Sequence, residues 1–254
     1  RDHELAANHP PHAIHGGLDR AFSKVMWRTL TVDDAEVELA YTSPDGEEGY
    51  PGEVQATARY RVDGDTLEVV YRAVTDAPTL INLTNHAYWN LAGAGNGTIL
   101  DHELTIAAER YTPTDDELIP TGGTATVDGP LDLRTPTRIG ERIGELEPTG
   151  AFGYDHNFVI DGPAGTVRLA ARLRDPASGR VMELHTDQPG VQFYSGNRLE
   201  GQRGKGGQAY PRNGALCLEP QYHPDSVHRP EFPSIVLRPS ETYEHVSRYR
   251  FTTD

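Results

Sequence analysis

Apolar and polar positions alternate along this chain in short runs of period two, and turn residues cut the runs apart. Residues 66–74, TLEVVYRAV, alternate and stop at Asp76, Ala77 and Pro78, the pattern of a half-buried strand closed by breakers. TVRLAARLRD at 166–175 and RVMELHTD at 180–187 flank PASG, which predicts a hairpin. ALCLEP at 215–220 and PSIVLRPSETYEHVSRYRF at 233–251 supply further strands. Only PTRIGERIGEL at 136–146 has a helical period, and its glycines keep it short. With 26 glycines and 19 prolines spread throughout, the pattern predicts an all-β, large antiparallel β-sandwich with few short helices. No repeat, low-complexity tract or linker divides the chain, so residues 1–254 read as a single domain.

Composition narrows the partners. A chain of 254 residues can bury a sizeable core. Lys and Arg total 23 against 38 Asp and Glu, a formal charge of −15, which disfavours nucleic acid and anionic membranes because both are held by basic surface. The single cysteine, Cys217, rules out an internal disulfide framework and fits a reducing cytoplasm. No apolar run is long enough to span a bilayer, and RDHELAANHP does not read as a signal peptide, although one further upstream is left open.

Residues 9–17, HPPHAIHGG, place His9, His12 and His15 at spacings of three. Pro10, Pro11 and the glycine pair prevent the helix that would stack them, so the segment reads as a loop or extended strand, and in an extended chain residues three apart face opposite ways. A zinc centre would want a fixed set of N, S and O ligands; with one cysteine and no HxxxH pair, no metal is expected. His15 stands out because Gly16 and Gly17 allow close approach of backbone or ligand.

Four stretches are more specialised than strands require: LTNHAYWNLAG (83–93), YDHNF (154–158), PGVQFYSGN (189–197) and LEPQYHPD (218–225). Each has a bland reading. His86 suits a core imidazole satisfied by neighbouring amides, Asp155 a turn residue bonding its own backbone, and Gln192 an edge amide. Glu219 is harder to set aside, because a carboxylate in the apolar run ALCLEPQ is costly unless paired or used. GQRGKGG at 201–207 lacks the phosphate-loop spacing and reads as a surface loop, and no GxSxG elbow is present. Aromatic Tyr88, Trp89, Tyr194 and Tyr222 beside several amides suit a neutral, polyhydroxylated ligand such as carbohydrate. A carboxylate base with an imidazolium acid is a pair suited to moving protons at neutral pH.

Taken in order, HGG (15–17), TNHAYWNL (84–91), YDHNF (154–158), PGVQFYSGN (189–197), GKGG (204–207) and LCLEPQYHPDSVHRPEFPSIVLRPSETYEHVSRYRF (216–251) closely resemble the aldose 1-epimerases, or galactose mutarotases. The resemblance implies a galactose mutarotase-like β-sandwich that interconverts the α and β anomers of hexoses such as galactose and glucose without a cofactor. It also implies Glu219 as general base, His86 as general acid, and His15, Asp155 and Gln192 as sugar-binding residues. One departure concerns the start. The family motif that precedes HGG and supplies an arginine has no counterpart here, and RDHELAAN reads as the tail of a β-hairpin whose first strand is missing. The N-terminus is therefore expected to be incomplete relative to the family, with Arg20, Arg28 or Arg198 as substitutes and an open strand edge consistent with a monomer or weak homodimer. The competing functions are a sugar-binding or sensing module without catalysis, a hexose-phosphate relative, which would need convergent basic residues, and a glycoside hydrolase pairing Glu219 with Asp155.

Overall fold

The computed structural model describes residues 3–254. In chain order its strands are β1 (Arg28–Val32), β2 (Glu36–Ser43), β3 (Val54–Asp63), β4 (Thr66–Thr75), β5 (Thr79–Leu80), β6 (Glu103–Ile106), β7 (Arg110–Tyr111) and β8 (Ala125–Thr126). They continue as β9 (Thr137–Arg138), β10 (Asp155–Val159), β11 (Arg168–Arg174), β12 (Arg180–Thr186), β13 (Gly190–Tyr194), β14 (Cys217–Gln221), β15 (Val236–Leu237) and β16 (Tyr243–Thr253). Among the described residues the only α-helix is α1 (Ile139–Arg142), so the all-β, antiparallel expectation holds. No helix is long and apolar enough to cross a membrane.

Contacts divide the chain into two compact units. The first comprises Arg1–Asp63, Leu67–Leu83 and Ile235–Val246. In it β1, β2, β3 and β4 are neighbours in that order, and Val54, Ala56, Ala58, Val69 and Ala73 are buried. β5 pairs with β15. β1 ends the strand order, and its residues are all exposed. Of the loop or extended strand expected at 9–17 the structure forms the loop: His9 and His12 exchange backbone hydrogen bonds of 3.0 and 2.7 Å across Pro10–Pro11, so the prolines form a tight turn. Asn8 organises the turn leading to Gly17, donating to the carbonyls of Ile14 and Gly17 and accepting from the Ile14 amide. Gly17 has φ 120°, and a Cβ there would stand 2.5 Å from Glu48 Oε2. That carboxylate accepts the amides of Leu18 and Arg20 at 2.9 and 2.6 Å. The hairpin tail expected at RDHELAAN is not formed in its described part: residues 3–7 carry no strand, and the Ala6 amide bonds the Glu48 carbonyl instead. Arg1 and Asp2 lie outside the described residues.

The second unit comprises Gly64–Thr66, Thr84–Ser234 and Ser247–Asp254. One of its ladders runs in the order β16, β12, β11, β6, β9 and buries Leu104, Ile106, Leu173, Met182, Leu184 and Tyr249. The expected hairpin at PASG is present as β11 and β12, with the turn fastened by the Asp175 side chain on Ala177 and Ser178. The helical period at 136–146 yields α1 followed by a 3₁₀ turn at Ile143–Leu146. Gly140 lies inside this helix, packed so closely that a Cβ would come within 2.9 Å of the Leu100 carbonyl. A second ladder, ordered β14, β13, β10, β7, β8, carries most of the predicted site residues.

Candidate active site

Within the second unit, β13 lies between β10 and β14, antiparallel to both. Asn157 stands opposite Gln192, and Gln192 opposite Glu219; one step along the same face, Asp155, Tyr194 and Cys217 form a second row. Residues directly opposite in an antiparallel ladder share a face, as do residues two apart on a strand. The register thus assembles a polar and thiol-bearing grid. The other face carries Phe158, Val191, Phe193 and Leu218, all buried, which hold the three strands against the core. Pro220 lacks an amide donor and is tolerated because β14 ends its sheet order. Gly190 is required by packing rather than by backbone conformation: a Cβ there would meet Asn157 Oδ1 at 2.7 Å and His223 Nδ1 at 2.9 Å, where Asn157 Nδ2 bonds His223.

His86 comes from residues 84–90, a segment without regular strand structure. Its position is fixed by Trp89, whose amide and carbonyl pair with Leu216 at 2.7 and 2.9 Å just before β14 begins. This brings His86 Nε2 to 3.5 Å from Glu219 Oε1. The imidazole stacks on Tyr88 at 5.3 Å, and Tyr88 meets Tyr194 edge-on at 6.4 Å. Trp89 turns the other way and packs on Tyr249 and Phe251, so it is not among the rings around His86.

The carboxyls are electrostatically unusual. The Glu219 side chain is only 8% exposed, and burial, reinforced by the charge of Asp155, pushes its pKa from 4.5 up to about 8. Asp155 is also raised by burial, against the opposing effects of Gln192, which donates Nε2 to Oδ1 at 2.8 Å, and of Arg198. Burial likewise raises the Cys217 thiol, to which Tyr88 gives a hydrogen bond. Behind the grid, Ser195 and Asn197 clamp the exit of β13 onto the carbonyls of Tyr154 and Ala151.

The structure therefore brings together His86, Asp155, Gln192 and Glu219. The bland roles of Asp155 and Gln192 do not hold, because both stand inside strands and bond each other. His15 belongs to the first unit, where it has φ 54° and desolvation of its ring lowers its pKa. Of the substitute arginines, Arg20 binds Glu47 and Tyr41. Arg198 stands on the second unit's site, with its amide on the Tyr194 hydroxyl at 2.9 Å, its guanidinium 5.9 Å from the Phe152 ring, and its charge lowering Asp155. Sequence reasoning missed Asn157 and Cys217. Their signal is their spacing of two from Asp155 and Glu219 on predicted strands. Among the described residues, His86, Cys217 and Glu219 also form the one group whose donor atoms are close enough to share a metal ion, all within 4.8 Å of one another.

A desolvated carboxyl beside an imidazole, flanked by aromatic rings and amides on an antiparallel sheet, is a set of groups with the chemistry to give and take protons. The family model for aldose 1-epimerase matches residues 1–250, and the chain belongs to that family. The galactose mutarotase of Bos taurus is 45% identical over 254 residues, covering 99% of this chain and 72% of that protein. The aldose 1-epimerase of Escherichia coli K12 is 34% identical over 246 residues, covering 95% and 70%. Among solved structures, the GalM/aldose epimerase homologue from C. elegans superposes with a TM-score of 0.87 at 28% identity, covering 96% of this chain and 73% of that one. Galactose 1-epimerase from Lactobacillus acidophilus gives 0.83 at 26%, covering 99% and 73%.

Proposed function

We propose that this chain is an isomerase that interconverts the α and β anomers of hexoses such as galactose and glucose, with Glu219 and His86 as its acid/base pair. The supporting observation is the 3.5 Å approach of His86 Nε2 to Glu219 Oε1 on a polar sheet face. Ring opening needs the proton removed from the anomeric hydroxyl while the ring oxygen gains one. Glu219 as carboxylate takes the first, and His86 as imidazolium supplies the second. The C1–O5 bond breaks as the C1–O1 bond becomes a carbonyl. Rotation about C1–C2 presents the other face, and the two groups exchange roles as the ring closes.

The elevated carboxyl suits this exchange. A pKa of about 8 brings Glu219 into the range where imidazoles titrate, so neither direction requires a strongly uphill proton transfer. Asp155, held by Gln192, and the free edge of the Gln192 amide are assigned to sugar hydroxyls, with Arg198 at the rim beside Asp155.

Polarimetry of fresh α-galactose and α-glucose, with and without the protein, tests the reading. Each of E219Q and H86Q should lower turnover by about 10²- to 10⁴-fold. Sugar binding with no acceleration in the unaltered protein would reject catalysis and favour a sugar-binding module.

A further inference from the structure

Cys217 has no part in the proton transfers above, yet it is fully buried and stands two residues before Glu219 on the same face of β14. A thiol, an imidazole nitrogen and a carboxylate oxygen, all within 4.8 Å of one another, are a donor set that zinc accepts, with bonds of about 2.3 Å to sulfur, 2.0–2.1 Å to nitrogen and 2.0–2.2 Å to oxygen. Tetrahedral angles on such bonds place the donors roughly 3.3–3.6 Å apart. His86 Nε2 and Glu219 Oε1, at 3.5 Å, already have that spacing. The sulfur has to close by about 1.2 Å at most from the 4.8 Å limit, within reach of rotations of the Cys217 and His86 side chains. The strand fixes Cys217 and Glu219, and the irregular segment supplies His86, whose side chain is 31% exposed and gives an ion its way in.

We infer that His86, Cys217 and Glu219 bind a thiophilic divalent cation, zinc or cadmium, through three protein ligands with one position left open, and that the bound ion inhibits the enzyme. Binding forms metal–sulfur, metal–nitrogen and metal–oxygen bonds and releases the thiol proton, with any proton on the other two groups, to solvent. The lone pairs that would move protons to and from a sugar are then occupied. Hard cations such as Mg²⁺ have little affinity for a thiolate. The inhibition rests on the acid/base pair proposed above; the binding does not.

The experiment uses the whole chain. Cadmium chloride is titrated in while the ultraviolet thiolate-to-cadmium charge-transfer absorption is recorded, which is unambiguous because the chain has one cysteine. Zinc inhibition of mutarotation is followed by polarimetry in parallel, with Mg²⁺ as control. One equivalent of cadmium should saturate the band in the unaltered protein, and C217A and C217S should show none. Zinc should inhibit reversibly, relieved by chelator, and not be matched by Mg²⁺. C217A, or C217S if the alanine variant does not fold, should keep its turnover while the zinc needed for half-inhibition rises on the order of 100-fold. No band in the unaltered protein, or equal zinc sensitivity with and without Cys217, overturns the inference. A stoichiometric band in a protein that has no mutarotase activity supports the ion site and overturns the functional reading instead.

Discussion

Glutamine at position 219 keeps the shape of the carboxyl and cannot ionise, so E219Q should stabilise the ligand-free protein progressively as pH rises, while stopping turnover. Burial, then the charge of Asp155, raises the folded carboxyl from 4.5 to about 8. A group whose pKa is higher folded than unfolded holds its proton more tightly in the folded state. Its stabilising contribution is complete below the unfolded value of 4.5 and is lost as pH rises through the folded value of about 8. With those two values, ionisation at Glu219 costs the protein about 1 kcal/mol by pH 5 and about 5 kcal/mol by pH 9. E219Q escapes the intervening loss of about 4 kcal/mol. For a chain of this size each kcal/mol moves Tm by about 2–4 °C, so the Tm advantage of the variant should widen by about 8–16 °C between pH 5 and pH 9. The assay is thermal unfolding of both proteins, without sugar, at pH 5, 7 and 9. Groups remote from position 219 titrate alike in both proteins and cancel, and the burial of Glu219 remains the largest difference between them. A Tm difference that stays level or narrows with rising pH would show that this carboxyl is not desolvated, and the electrostatic basis of the acid/base pair would go with it.

Asp155→Asn should raise KM by more than it lowers kcat, because Asp155 is assigned to hydroxyl binding and not to proton transfer; steady-state polarimetry showing a loss confined to kcat contradicts that division. Arg198→Ala should raise KM several-fold and leave the fold intact, since its side chain is exposed and its amide, not its guanidinium, bonds Tyr194; unchanged KM removes Arg198 from the site. Gly190→Ala should cost about 1–3 kcal/mol, because its Cβ would stand 2.7 Å from Asn157 Oδ1 and 2.9 Å from His223 Nδ1. An unaltered Tm would show that the Asn157–His223 pair moves aside freely.

How much of this was legible depends on how local the cause is. β11 and β12 are contiguous around their turn, so alternation and PASG were enough to predict the hairpin. Glu219 was legible too, because a carboxylate in ALCLEPQ has no basic neighbour and must find its justification elsewhere in the fold. The row Asn157, Gln192, Glu219 was not, since it joins strands from three distant parts of the chain and exists only through register. The opening loop was open to reading because Pro10, Pro11 and the glycine pair exclude a helix, but the turn that His9 and His12 close depends on backbone pairing that residue types do not specify.

Cys217 and Trp89 show what a motif conceals. Composition marks Cys217 as a small buried residue, and only its place two before Glu219 on one strand face puts its sulfur beside a carboxylate and an imidazole. Tyr88 and Trp89 looked like two rings for one ligand because they are adjacent in a motif around His86. Successive side chains in extended backbone point to opposite faces, so when Trp89 pairs its backbone with Leu216 and lays its ring on Tyr249 and Phe251, Tyr88 is left to stack on His86. The same backbone pairing that buries one ring therefore aims the other, and with it the imidazole, at Glu219.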